Sequence, residues 1–280
     1  MSRRPHFLLA LAALGALSAA AVWLAAFVLP GGRELDAAAL QAFSGVARAP
    51  LTPSIHGIAV LANPLPFAIA GALLVGLALL RRRVLMAALV PVILVVANGC
   101  TQVLKPALAD LRIIDVAGVD RVYPGSWPSG HATASMSLAL CLVLVVGPRL
   151  RPLAALLGAG YAIGVGYALV ALGWHLPSDV LGGYLVAASF TLLGAAALAA
   201  LETRRPVPAA RRTGPPAVVL WPVLAASVAA LVPLVALALL VRNPELAIGT
   251  LRHAELLLAA CGIGVLGLAL TAGFALVLRR

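Results

Sequence analysis

The sequence predicts an all-α, polytopic membrane protein of about eight transmembrane helices, and three observations predict it. Of the 280 residues 63% are hydrophobic and only 10% charged, against roughly half apolar and a quarter charged in a soluble domain. Uninterrupted apolar stretches of about 20 residues, the length that crosses ~30 Å of hydrocarbon as a helix, recur along the chain. No strand alternation or internal repeat interrupts them, and an open sheet cannot span lipid. The expected spans are 7–29, 58–80, 84–104, 129–147, 153–172, 180–200, 217–241 and 256–278.

In chain order, Arg3 and Arg4 before an apolar run containing Ala19, Ala20 and Ala21 look like the start of a signal peptide. The run continues from Val22 to Leu29, too long for a signal h-region, so a retained span is expected. Between Gly31 and Gly57, apolar Leu35, Ala39, Leu40 and Phe43 stand at helical spacing beside Arg33, Glu34 and Asp36. That pattern predicts a short helix lying on the outer interface. The polar stretch from Lys105 to Trp127 is the longest in the first 200 residues, and long loops in compact proteins are commonly functional. Glu202 to Pro216, rich in Arg and Pro, reads as a cytoplasmic linker. It divides a six-span unit (1–201) from a two-span C-terminal hairpin (217–280), with the linker at 202–216. Cys100, Cys141 and Cys261 all fall within spans without metal-ligand spacing and read as small apolar packing residues.

A net charge of +11 raises the possibility of a nucleic-acid partner, which the distribution of charge excludes. With the N-terminus inside, Arg3, Arg4, Arg81, Arg82, Arg83, Arg149, Arg151, Arg204, Arg205, Arg211, Arg212, Arg279 and Arg280 all face the cytoplasm, with Glu202 the only acid among them. The inner face then nets +12 and the outer face −1. This is the positive-inside asymmetry of a multi-pass plasma-membrane protein, and it leaves no basic groove for nucleic acid.

Three clusters then fall on the outer side. Arginine outnumbers lysine 19 to 1, so Lys105, seven residues before Arg112, is an outlier. A snorkelling interfacial cation would account for it alone. Pro128-Ser129-Gly130-His131 opens the fourth span. A helix N-terminus with unpaired N–H groups suits an anion, Ser129 offers a hydroxyl, and His131 titrates near neutral pH. A plain Ser-Gly helix start with an incidental histidine is the other reading. Trp174-His175-Leu176-Pro177-Ser178-Asp179 opens the sixth span. Asp179 stands where it can accept a proton from one ring nitrogen of His175 and make the other nucleophilic; a structural His-Asp cap is the alternative. Together, cations, two helix N-termini, two histidines and a carboxylate are the inventory of phosphoryl transfer. No carboxylate cluster suggests a metal, which favours a covalent phosphohistidine route over metal-activated water.

The order Lys105-x6-Arg112, Pro128-Ser129-Gly130-His131 and His175-x3-Asp179 resembles the signature of the phosphatidic acid phosphatase type 2 superfamily, K-x6-R-P, P-S-G-H and S-R-x5-H-x3-D. The resemblance implies that Lys105, Arg112, Ser129 and Gly130 bind phosphate, His175 attacks phosphorus, Asp179 orients it and His131 protonates the leaving group. It implies a lipid phosphate or polyprenyl (di)phosphate as substrate, membrane lipids as surroundings, and neither metal nor cofactor. Two departures stand out: Ile113 replaces the Pro of the first motif, and Ala168 and Leu169 replace the Ser-Arg of the third. One missing phosphate donor costs about 10²–10³ in rate; Arg121 in the outer loop is a candidate substitute. The rival functions are a phosphotransferase between lipid carriers, a non-catalytic lipid-phosphate binder or transporter, and a purely structural membrane protein.

The charge asymmetry predicts a labelling pattern. Cysteine introduced at Ala117 reacts with an impermeant thiol reagent in intact cells, and cysteine at Ala209 does not. The reverse pattern contradicts both the orientation and the side assigned to the site.

Overall fold

The computed structural model describes residues 3–44, 51–108, 125–204 and 254–278. Among these residues every regular element is helical. In chain order they are α1 (Arg3–Phe27), α2 (Gly32–Ser44), α3 (Thr52–Ala59) with a 3₁₀ turn (Val60–Ala62), α4 (Pro64–Leu80), α5 (Val84–Ala107), α6 (Gly130–Val145), α7 (Arg151–Ala171), α8 (Pro177–Arg204) and α9 (Ala254–Val277). Five of them are long and apolar enough to cross a bilayer, and the fold is the all-α, multi-pass one expected. The expected span 217–241, the segment 109–124 with Arg112, Ile113 and Arg121, and most of the linker lie outside the described residues.

The second expected span, 58–80, is corrected by the structure. It is broken: Thr52–Ala62 and Pro64–Leu80 meet at a bend of 53°. Asn63 at the break is extended (φ −63°, ψ 158°) with Pro64 at the first helical position, because the residue before a proline is pushed out of the α region. The fourth span is also shorter than expected. At 16 residues α6 is about 24 Å long, less than ~30 Å of hydrocarbon. It can be short because protein surrounds it: Ala132 through Cys141 are all buried, serines and threonine included.

The centre of the bundle is α6 with α8. Close approach follows from small residues, as is usual where lipid supplies no hydrophobic drive between helices. A methyl on Gly183 would lie 2.7 Å from the Ser129 carbonyl oxygen and 3.0 Å from the Thr133 amide, and one on Gly158 would lie 2.9 Å from the Ala139 methyl. The single hydroxyl proton of Thr133 is shared between the Ser129 carbonyl at 2.9 Å and, across the crossing, the Gly183 carbonyl at 3.2 Å, pinning α6 to α8 beside the third cluster. The C-terminal helix is part of the same core. Ile263 and Phe274 of α9 are buried with Leu169 and Tyr184, and Tyr167 donates to the Ala260 carbonyl at 2.7 Å.

Polar links mark the two ends of the bundle. At one, Arg83 pairs with Glu202 at 3.3 Å and Arg151 donates to the Leu278 carbonyl at 2.8 Å. The α4–α5 turn at this end closes as a Schellman motif: Arg82 takes the left-handed conformation (φ 56°), with Arg83 N–H bonded to the Ala78 carbonyl at 2.9 Å. At the other end lie the N-termini of α6 and α8, the end of α5, and α2. The arginine-rich turns and the pair His131 and His175 thus occupy opposite ends.

The tight α6–α8 crossing makes Gly183→Ala destabilising by about 1–3 kcal/mol through overpacking. Gly76→Ala, with nothing within 4 Å of the added methyl, is neutral or stabilising because alanine is the better helix former. Thermal unfolding of both variants in detergent checks this; equal Tm values contradict the crossing.

Candidate functional site

The turn from α7 into α8 builds one half of the site. α7 ends in a second Schellman motif, with Gly173 at φ 71°. The Leu169 carbonyl accepts from Trp174 N–H at 3.0 Å and, more weakly, from His175 N–H at 3.4 Å. Pro177 opens α8, where its missing N–H costs nothing. Asp179 then folds back: its Oδ2 accepts from Leu176 N–H at 3.0 Å and lies 3.2 Å from His175 Nδ1. The first contact is the return half of a capping box, and the second makes Nδ1–H the donor to a carboxylate. The neutral ring therefore presents a lone pair on Nε2. Capping and orientation, two readings open in the sequence, are here one carboxylate's two contacts. Asp179 is fully buried and His175 nearly so.

The start of α6 builds the other half. Ser129 is its N-cap, with Oγ accepting from Ala132 N–H at 3.3 Å, and Ser129 N–H donates to the Asp179 carbonyl at 3.0 Å. The first-turn amides of Gly130 and His131 have no carbonyl to bond within the helix. A methyl built on Gly130 would lie 3.4 Å from Gln102 Nε2 and 3.8 Å from Lys105 Nζ. Gln102 and Lys105 sit on one face of α5 at i, i+3 spacing, so an amide and an ammonium converge on the same helix start. The peptide Trp127–Pro128 before it is cis.

His131 faces this arrangement from α6. Its ring centroid is 6.4 Å from that of His175 and 6.0 Å from that of Trp174, and Nε2 lies 2.9 Å from Asn63 Oδ1. Trp174 also meets the exposed His56 of α3 edge to face at 5.6 Å. Asn63, Gln102 and His56 are absent from the residues that the sequence singles out. So is the contact made by Asp36: its carboxylate accepts from Ser178 Oγ at 2.5 Å and Ser178 N–H at 3.0 Å, tying α2 to the first turn of α8. Asn63-Pro64 was the legible signal for the first; partners 142 residues apart leave no local pattern.

Of the expected site residues, Lys105, Ser129, Gly130, His131, His175 and Asp179 gather at one end, while Arg112 and its proposed substitute Arg121 lie outside the described residues. One expectation changes. Two helix N-termini were expected to be open to an anion, but that of α8 is spent on Asp179 and Asp36; only that of α6 is left. Leu169, at the position of the missing arginine, is fully buried. Its side chain offers no donor, while its carbonyl anchors the turn that carries His175. Among the described residues no three of His, Cys, Asp or Glu are grouped as metal ligands.

Residues 83–203 match the model of the PAP2 superfamily, and they contain both half-sites. A solved structure of a similar fold is that of the first transmembrane PAP2 type phosphatidylglycerolphosphate phosphatase from Bacillus subtilis. It superposes with a TM-score of 0.50 at 22% identity, over 74% of this chain and 100% of that one. No curated protein matches the chain. The matched segment begins at α5, so α1 to α4, which supply Asp36 and Asn63, lie ahead of it.

Asp36→Ala strips the acceptor from the Ser178 amide and hydroxyl and costs about 1–3 kcal/mol, the range for a buried donor left unsatisfied. Glu34→Ala, on the exposed face of α2, changes stability by about 0.5 kcal/mol or less. Thermal unfolding of the two variants separates them, and an unaffected Asp36→Ala contradicts the strap.

Proposed function

We propose that the chain is a membrane phosphohydrolase that removes phosphate from a lipid phosphate or polyprenyl (di)phosphate at the outer leaflet, through a phosphohistidine intermediate. The observation that carries this reading is the His175–Asp179 pair at 3.2 Å facing His131, next to the open N-terminus of α6. His175 Nε2 attacks phosphorus as the bond to the leaving oxygen breaks, and His131 gives that oxygen a proton. Water then attacks the phosphohistidine, His131 takes the proton back, and the N–P electron pair returns to Nε2. Lys105, Gln102, the Ser129 hydroxyl and the Gly130 amide are the donors to the non-bridging oxygens, with Arg112 as the expected further cation.

The match of residues 83–203 to the PAP2 superfamily model supports phosphatase chemistry, and the apolar spans around the site support a substrate with a lipid tail. The Bacillus protein of similar fold is a phosphatidylglycerolphosphate phosphatase, which makes a glycerophospholipid monoester the first substrate to try. The positive-inside charge split supports an extracytoplasmic site in the plasma membrane. We assign residues 1–201 to the catalytic unit, 202–216 to a cytoplasmic linker and 217–280 to a C-terminal hairpin whose last helix buttresses α7.

Purified protein releases phosphate from at least one of phosphatidate, phosphatidylglycerol phosphate and polyprenyl phosphate or diphosphate, and a chelator leaves the rate unchanged. His175→Ala abolishes release while retaining lipid-phosphate binding, since the donors remain. Normal turnover by His175→Ala contradicts the mechanism. Binding without release by the parent protein supports the binder or transporter instead.

A further inference from the structure

An asparagine at a helix N-cap ordinarily spends its side-chain oxygen on the amide of the second or third helical residue. Asn63 occupies that position on α4 and makes no such bond. The sequence Asn63-Pro64-Leu65-Pro66 removes one of those two donors, since the third helical residue is Pro66, which has no N–H to offer, and the Leu65 amide is not bonded to the side chain either. The oxygen is freed, and the bend at Asn63 aims it out of its own helix. It lies 2.9 Å from Nε2 of His131, 68 residues away on α6. A break that weakens a membrane span therefore delivers one polar atom to the histidine of the second cluster.

We propose that Asn63 is the positioning residue of His131, fixing its tautomer for the proton transfers of the reaction proposed above, on which this inference rests. An amide oxygen only accepts. While the contact holds, Nε2 carries a proton in both charge states of the ring, and Nδ1 is the nitrogen that gains and loses one. In the first half-reaction the Nδ1 proton passes to the leaving oxygen as the P–O bond breaks, and that oxygen keeps the bonding pair. The neutral ring remains as the Nε2–H tautomer, with Asn63 as its acceptor. In the second half-reaction the Nδ1 lone pair takes a proton from the water whose oxygen bonds to phosphorus. No reactant besides water is needed.

The other groups that bear on this ring are Lys105 of α5 beside Gly130, His175 in the α7–α8 turn with Asp179 behind it, and His56 of α3 across Trp174. None of them is an acceptor placed on Nε2; Asn63 is.

The test uses the full-length protein in detergent, with Asn63→Asp as an isosteric variant and Asn63→Leu as one without an acceptor. Labelled-histidine nitrogen NMR, assigned with His131→Gln, reads the ring directly. The expected neutral ring is Nε2–H in the parent. In Asn63→Asp the carboxylate favours the imidazolium, so the His131 midpoint moves up by about one unit or more, and the alkaline limb of kcat moves with it, because a general acid works only while protonated. In Asn63→Leu, kcat for an alkyl phosphate falls about 10–100-fold with KM held, while an aryl phosphate with a good leaving group is nearly unaffected. A neutral parent ring protonated on Nδ1, an unmoved midpoint in Asn63→Asp, or equal losses for both leaving groups overturns the assignment. Should the parent release no phosphate from any substrate, the proposed reaction fails, and the NMR measurements still decide the role of Asn63.

Discussion

A carboxylate removed from water is tolerated only when its oxygens are fully used, and the site end of this protein is organised around one such group. Asp179 is completely buried. Its side chain holds the Leu176 amide and His175 Nδ1, and its own carbonyl holds the Ser129 amide. Three segments, the α7–α8 turn, the start of α8 and the start of α6, are thereby fixed to one residue. The distance between His175 and the α6 N-terminus follows from it. The rest is reinforcement: Gly183 lets α6 close on α8, Thr133 bridges them, and Asp36 satisfies the remaining amide of the α8 first turn.

The same arrangement explains where an anion can bind. Protein carboxylates occupy the α8 N-terminus, so among the described residues the groups left for a phosphate are the α6 N-terminus and the side chains of α5. Leu169 offers that set no cation and adds an apolar side chain to the core. Its backbone duty at the end of α7 is independent of its side chain, which is why the turn carrying His175 survives the change. Gln102 supplies a neutral donor near Gly130; a neutral donor contributes roughly half the strength of a charged one.

Most of the fold was legible because a membrane span is a local property. A run of apolar residues declares α1, α5, α7, α8 and α9 by length alone, and amphipathic spacing at Leu35, Ala39, Leu40 and Phe43 declares α2, whose Ala39, Leu40 and Phe43 are indeed its buried face. The break at Asn63 was less legible because hydropathy is indifferent to it: Val60 to Ala62 and Leu65 onward are apolar on both sides. The prolines were the only sign. In the site, the His175–Asp179 contact was legible from its short separation, although its geometry is that of a capping box and not of two residues one helical turn apart. Asn63–His131 and Asp36–Ser178 were not legible, since a pairing across 68 or 142 residues depends on how whole helices pack.

The central claim is that His175 Nε2, freed by Asp179, becomes bonded to phosphorus during turnover. Rapid alkaline quench of the protein mixed with a lipid substrate labelled in its phosphoryl group tests it most directly, because an N–P bond to histidine survives base and is lost in acid. The account predicts label on His175 in the parent, with base-stable, acid-labile chemistry, and none in His175→Ala. Label retained in that variant, or turnover in the parent with no labelled protein at any quench time, would contradict it.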